Sequence, residues 1–132
     1  AFQFSAASRN AALDAIETAA GASPTLEIRT GAVPATCATA DSGTVLVTMA
    51  LPADWLAAAS GGTKAILGTW QDLSADAAGT AAHFRIKQGA TCHIQGSVTA
   101  TGGGGDMTLD NVSIALTQQV TVTAFTLTAG GA

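Results

Sequence analysis

The segment AAHFRIKQGATCHIQGSV, residues 81–98, carries the clearest structural signal in the sequence. Two runs of alternating character, 81–87 and 91–98, flank the three residues Gln88-Gly89-Ala90. Glycine can adopt the left-handed backbone conformation that tight hairpin turns require. The segment therefore predicts an antiparallel β-hairpin closed by a three-residue turn.

The alternation also predicts how the two strands pair. Placing Lys87 opposite Thr91 collects the apolar side chains on one face, namely Phe84, Ile86, Cys92 and Ile94. The same register collects the polar side chains on the other face, namely His83, Arg85, His93 and Gln95. Because a slip of one residue would mix the two faces, we expect this register, with Cys92 directed into the core.

Further short runs with a period of two predict more strands on either side of the hairpin. Leu26–Thr30 and Thr44–Leu51 alternate clearly. Val120–Thr128 changes face along its length, which indicates a bulge near Ala124 or burial on both faces. With about seven or eight short strands between residues 25 and 128, we expect an all-β fold, a β-sandwich or jelly roll. The whole chain, residues 1–132, is predicted to form a single domain.

One helix is predicted before the strands, over residues 8–20. Ser8 is its expected cap, because a serine hydroxyl accepts hydrogen bonds from the free N–H groups of the first turn. Leu13, Ile16 and Ala20 recur on one helical face, and Gly21 ends the helix.

Residues 1–7 are expected to form an extended arm ahead of this helix. The arm carries Phe2 and Phe4, two of only four phenylalanines in a chain with two tryptophans and no tyrosine. A pair of large apolar side chains outside the helix suggests either an assembly arm, which could add a strand to a neighbour's sheet edge, or a segment that folds back to complete the core.

The net charge and the distribution of basic residues limit the classes of partner that the chain is expected to bind. The net charge is −4, and the five basic residues are scattered: Arg9, Arg29, Lys64, Arg85 and Lys87. Nucleic-acid binding and polybasic membrane contact both depend on clustered Lys and Arg, so neither partner is expected. The low proportion of charged residues favours association with other proteins.

Cys37 and Cys92 lack the spacing of a metal site. The first residues also lack the basic and apolar regions of a secretory signal. We therefore expect a product of the cytosol, in which both cysteines are free thiols.

Other patterns that could carry chemistry are weak. Asp72 and Asp76 resemble the start of a calcium loop, but Ala77 and His83 occupy the positions that need glycine and glutamate. The Gly102–Gly105 run lacks the Lys-Ser/Thr of a phosphate loop. His83 and His93 supply at most two metal ligands. We predict no catalytic, cofactor-binding or metal-binding residues and no enzymatic activity.

Four stretches together resemble a family of small virion proteins of tailed bacteriophages: Ser8–Ile16, Leu26–Gly31, Ser74–Ile86 and Val120–Leu127. Members of this group are similar to head decoration, or cement, proteins. The resemblance implies a β-sandwich or jelly roll on the outside of the capsid, with no catalytic residues. It also implies the major capsid protein and further copies of the chain as partners, and assembly as a homo-oligomer on the particle.

The expected function is therefore that of a capsid decoration protein, made in the host cytoplasm and bound to the virion exterior. The alternative is a tail or fibre component that binds a host glycan by stacking sugars on Trp55 or Trp70; an enzyme is a third, less favoured possibility. The candidates for contact with a partner are Phe2, Phe4, Arg9, Trp55 and Trp70.

Overall fold

The computed structural model describes residues 2–132 and contains one helix followed by short strands. Helix α1 spans Ala6–Ala20. The strands are β1 (Thr25–Arg29), β2 (Val45–Ala50), β3 (Thr63–Ala65), β4 (Trp70–Asp72), β5 (Gly79–Thr80), β6 (His83–Gln88), β7 (Thr91–Ala100), β8 (Met107–Leu109), β9 (Ser113–Ile114), β10 (Val120–Val122) and β11 (Thr126–Thr128). The mostly-β fold with one N-terminal helix is confirmed. Strands are more numerous than predicted because many pair over only two or three residues.

The strands form one large sheet and three small ones. The large sheet has the order β2-β1-β6-β7-β8, antiparallel except between β7 and β8. The other strands pair as β4 with β10, β3 with β11 and β5 with β9. The segment predicted as one irregular strand over Val120–Thr128 is thus two strands with different partners, which accounts for its change of face.

The predicted hairpin is present as β6 and β7, but its predicted register is wrong. Gln88, not Lys87, pairs with Thr91, and the turn has two residues, with Gly89 at φ +59°. The pairing then shifts between Ile86 and Lys87, so that Ile86 faces Ile94 while Lys87 faces Cys92. This bulge leaves an extra residue on β7 and reverses the alternation beyond it, so Cys92 joins the polar face instead of the core face.

Both faces of β6 are buried. Every residue from His83 to Lys87 is buried, including those on the predicted polar face. The loop of residues 30–44, called the cover loop below, lies over the polar face, where Gln95 Nε2 donates to the Pro34 carbonyl at 2.7 Å.

The apolar face of the hairpin packs into a single cluster of buried side chains drawn from the large sheet and the short strand pairs. Aromatic rings form a chain through this core. Phe84 meets Phe125 edge-on with ring centroids 5.3 Å apart, Phe125 lies 6.0 Å from Trp70, and Trp70 lies 6.1 Å from Trp55. Such geometries are typical of favourable aromatic pairs.

Helix α1 begins earlier than predicted. Ser5, not Ser8, is its cap, and the Ser5 hydroxyl accepts from the Ser8 backbone N–H at 3.1 Å. Leu13 and Ala20 are buried as expected, whereas Ile16 is 40% exposed. The arm is accordingly shorter than residues 1–7, since only the residues up to Ser5 precede the helix.

A buried lysine docks the helix on β3. Lys64 is 3% exposed and its Nζ contacts Asp14 at 2.6 Å and Glu17 at 3.0 Å, both on α1. Burial alone would lower the pKa of Lys64, but the hydrogen bonds that Lys64 donates to Asp14 and Glu17, together with the charges of both carboxylates, outweigh burial and hold that pKa above its ordinary value. Lys64 therefore stays charged at neutral pH and ties the helix to the strands.

Candidate interaction site

The segment before α1 presents two aromatic rings that are each more than half exposed. Phe2 is 79% and Phe4 51% exposed, and their rings pack edge-on at 5.3 Å. The Phe4 N–H donates to the Gly131 carbonyl at 2.7 Å. The arm is thus attached to the C-terminal segment at its base. The Phe2 ring is mostly exposed, and the Phe4 ring lies partly against Gly131.

Arg9 positions this arm. Its Nε donates to the Phe4 carbonyl at 3.4 Å, and its Nη1 donates to the Gly61 carbonyl at 3.3 Å. These bonds join the arm and α1 to the turn before β3. Of the predicted candidates, Phe2, Phe4 and Arg9 therefore lie together.

The tryptophans do not belong to this surface. Trp55 and Trp70 are both 0% exposed, and their indole N–H groups are used internally. Trp55 Nε1 donates to the Gly21 carbonyl at 3.0 Å, and Trp70 Nε1 donates to the Trp55 carbonyl at 3.2 Å. The expectation that they contact a partner is corrected: in a chain with few large side chains, these rings fill the core.

Three cations converge beneath the cover loop. Asp41 of that loop accepts from Lys87 at 2.7 Å and from Arg85 at 2.8 Å, and lies 3.4 Å from Arg29. Glu27 supplies a second carboxylate, 2.8 Å from Arg29 and 3.4 Å from Lys87. Sequence reasoning missed this cluster, although Asp41 is the only charged residue between Gly31 and Gly43.

A disulfide attaches the cover loop to the same face. Cys37 and Cys92 are bonded, with their Cα atoms 5.2 Å apart. The prediction of two free thiols is wrong, as is the inward orientation of Cys92. The orientation error follows from the β-bulge, which turns Cys92 towards the cover loop and Cys37. The free-thiol prediction had a different basis, the expected origin of the protein in the cytosol.

We expect the attachment of the cover loop to weaken in acid. The hydrogen bond from Lys87, assisted by Arg85, lowers the pKa of Asp41 below its ordinary value despite the opposing effect of burial. A carboxyl with a lowered folded-state pKa stabilises fully above its unfolded pKa of ~3.9 and loses that contribution as the pH falls through the folded value. Asp41→Asn should therefore cost about 1–2 kcal/mol at pH 7 and progressively less below about pH 4.

Urea unfolding of the wild type and the variant at pH 7 and pH 3 measures this difference. Asp54→Asn is the matched control, because Asp54 is exposed and has no ion pair among residues 2–132. An Asp41→Asn penalty that is equal at both pH values would contradict the assignment.

Comparison with protein families, curated proteins and solved structures found no match to this chain. Among residues 2–132, no helix has both the length and the apolar character needed to cross a bilayer.

The weak metal motifs have structural roles. Asp72 accepts from the N–H groups of Thr48 and Ser74, and Asp76 accepts from the Thr48 hydroxyl. These carboxylates thereby accept hydrogen bonds from the backbone and side chain of Thr48 in β2. His83 is buried beneath the cover loop, with Nδ1 2.8 Å from the Gly31 carbonyl. In the described part of the chain, no three His, Cys, Asp or Glu side chains are grouped as a metal site would require.

All five cations are engaged by the protein itself. Arg9 and Lys64 hold α1, and the other three lie under the cover loop. Five carboxylates have no ion pair within residues 2–132: Asp54, Asp72, Asp76, Asp106 and Asp110. The site formed by Phe2, Phe4 and Arg9 is therefore suited to apolar contact rather than to binding a polyanion.

Proposed function

We propose that this chain is a non-enzymatic structural protein of a tailed bacteriophage, a decoration protein that binds the outside of the head and stabilises contacts between major capsid proteins. The observation that carries the proposal is the exposed pair Phe2 and Phe4 on an anchored base. Each phenylalanine contributes ~1.5–3 kcal/mol when its apolar surface is fully covered. A partner protein surface would supply that cover.

The proposal includes a finer description of the fold as a β-sandwich of the jelly-roll type. Its support is the shared core: Phe84 of the large sheet packs on Phe125, and Trp70 of a short strand pair extends the same aromatic chain. Opposed layers of strands meeting in one core are the basis of a sandwich.

Charge and covalent structure also support a place on the virion exterior. With its cations engaged internally, the chain has little to offer a nucleic acid. Virion surfaces are among the environments in which disulfides persist, so Cys37–Cys92 fits this location. On a capsid, where each contact is repeated many times, a weak contact through two phenylalanines gains strength from multivalency. Copies of the chain and the major capsid protein are the proposed partners.

The glycan-binding alternative depended on Trp55 or Trp70 as a stacking platform. Both side chains are enclosed, so this alternative has lost the residues that suggested it.

The double substitution Phe2→Ser with Phe4→Ser tests the proposal and retains the Ser5 cap of α1. We expect retention on heads that lack their native decoration protein to weaken by about 100-fold, the equivalent of roughly 3 kcal/mol of lost apolar burial. The melting temperature should change little, because both rings are exposed. Co-sedimentation with the heads measures the affinity.

Leu73→Ser is the matched control, since Leu73 is also a large apolar side chain, 68% exposed, outside the arm. It should bind the heads as the wild type does. Equal retention of the Phe double variant and the wild type would remove the arm from the contact. Failure of the wild type to bind any such head would overturn the proposed function itself.

A further inference from the structure

One stretch of β7 has an unpaired edge. β8 pairs with β7 only from Val98 onwards. The Ser97 N–H points away from β6, because it donates to Asp106 Oδ2 at 2.9 Å. Since backbone direction alternates along a strand, the main chain of Gln95 faces the same side, where no strand of the described chain pairs with it.

A second unpaired edge belongs to β11. β11 pairs with β3 on one side only, and the Ala129 N–H donates to the Gly62 carbonyl on that side. The alternation then directs the backbone of Leu127 towards β3 and the backbones of Thr126 and Thr128 away from it. No other strand of residues 2–132 pairs with this outer edge.

These two edges border the same groove. A cavity of about 350 Å³ is lined by Gln95 from β7 and by Thr126 and Thr128 from β11. Apolar side chains also line it: Phe84, Ile94, Phe125 and Leu127. Asp106, the one charged residue in the lining, is already held by Ser97.

We propose that this groove binds an extended segment from a second copy of the chain, residues 2–5, which adds a strand along the edge of β11. This inference rests on the proposed function, in which the arm makes the contact, and it names the partner as another copy. Unpaired strand edges are completed by extended main chain. The Phe2-Gln3-Phe4 spacing places both rings on one face of a strand, and the segment has no charge to bury.

The arm cannot fill the groove of its own chain while it keeps its present attachments. Ser5 caps α1, and Phe4 is bonded to Gly131, three residues beyond the end of β11. The arm of one copy can approach Thr126 and Thr128 of another copy, because the attachments of the arm to its own chain do not restrict that approach. Exchange between copies gives either a reciprocal dimer or a head-to-tail chain.

Complementation between two variants of the full chain tests the proposal. Thr128→Pro blocks the groove edge, since proline removes an N–H that points away from β3 and is tolerated on an edge strand. Phe2→Ser with Phe4→Ser disables the arm. Each variant alone should self-associate at least about 10-fold more weakly than the wild type in sedimentation equilibrium. An equimolar mixture should regain association, because one variant keeps the arm and the other keeps the groove.

Thr126→Pro provides a second groove variant if Thr128→Pro does not fold, and circular dichroism checks both. A mixture that associates no better than its components overturns the proposal, as does a wild type that stays monomeric up to about 1 mM. Self-association without head binding would leave the groove assignment standing while the decoration function fails. Head binding by a monomeric wild type would leave the decoration function standing while the groove assignment fails.

Discussion

Replacing Cys37 and Cys92 by serine should lower the free energy of unfolding by about 4 kcal/mol. The two cysteines are 55 residues apart, and a cross-link of that span removes a corresponding entropy from the unfolded chain in the loop-closure model. Urea unfolding of the oxidised wild type and the double variant measures the difference. Wild-type protein kept in a thiol reductant should reproduce the variant. An unfolding midpoint that does not respond to the reductant would contradict the prediction.

Removal of the disulfide should destabilise the cover loop before the rest of the fold. Once the disulfide is removed, the loop still keeps Asp41 bound to Arg85 and Lys87, and Gln95 bound to Pro34. Cleavage by a protease between Gly31 and Gly43 should therefore accelerate before global unfolding does. The disulfide and Asp41 thus act together to keep a cationic face covered on a chain whose remaining surface charge is acidic.

Replacing Trp70 by alanine should destabilise the fold by about 3–5 kcal/mol, the usual cost of removing a large buried aromatic side chain. Trp70 contacts both Trp55 and Phe125, and it donates to the Trp55 carbonyl. Trp70→Phe should cost less, about 1–2 kcal/mol, because much of the packing remains while the hydrogen bond is lost. Thermal unfolding followed by circular dichroism measures both variants.

Phe2→Ala serves as the control for Trp70→Ala, because Phe2 is 79% exposed. Its effect should stay within about 0.5 kcal/mol, as for most surface substitutions. If Trp70→Ala unfolded at the wild-type temperature, the indole would have to lie outside the core. The glycan-binding alternative would then regain a side chain on which a sugar could stack.

Local patterns along the chain predicted the longer elements, but neither the shortest strands nor the element boundaries. The β-hairpin at residues 81–98, the strand at Leu26 and the single N-terminal helix all follow from periodicity and turn chemistry. Ser5 and Ser8 are both acceptable caps by residue type. In the structure α1 starts at Ala6. Arg9 then makes tertiary contacts, because its guanidinium bridges the arm and the turn at Gly61.

The residues predicted for the candidate site also differ in how well the sequence indicated their role. Phe2 and Phe4 stand out in a sequence poor in aromatic residues, and the structure leaves both more than half exposed. The scarcity of large side chains favours Trp55 and Trp70 as core anchors, but no local pattern around them excludes a ligand platform. Only their neighbours in space, which are distant along the chain, show that they are enclosed.

The sequence by itself determined that this is a mostly β chain with one N-terminal helix and a central hairpin, because those features depend on interactions between residues close together in the chain. The tertiary structure decided the register of that hairpin, the Cys37–Cys92 disulfide and the burial of Arg85 and Lys87 under Asp41. A single bulged residue reverses the side-chain alternation, and a loop far away in sequence supplies the countercharge that allows a polar face to be buried.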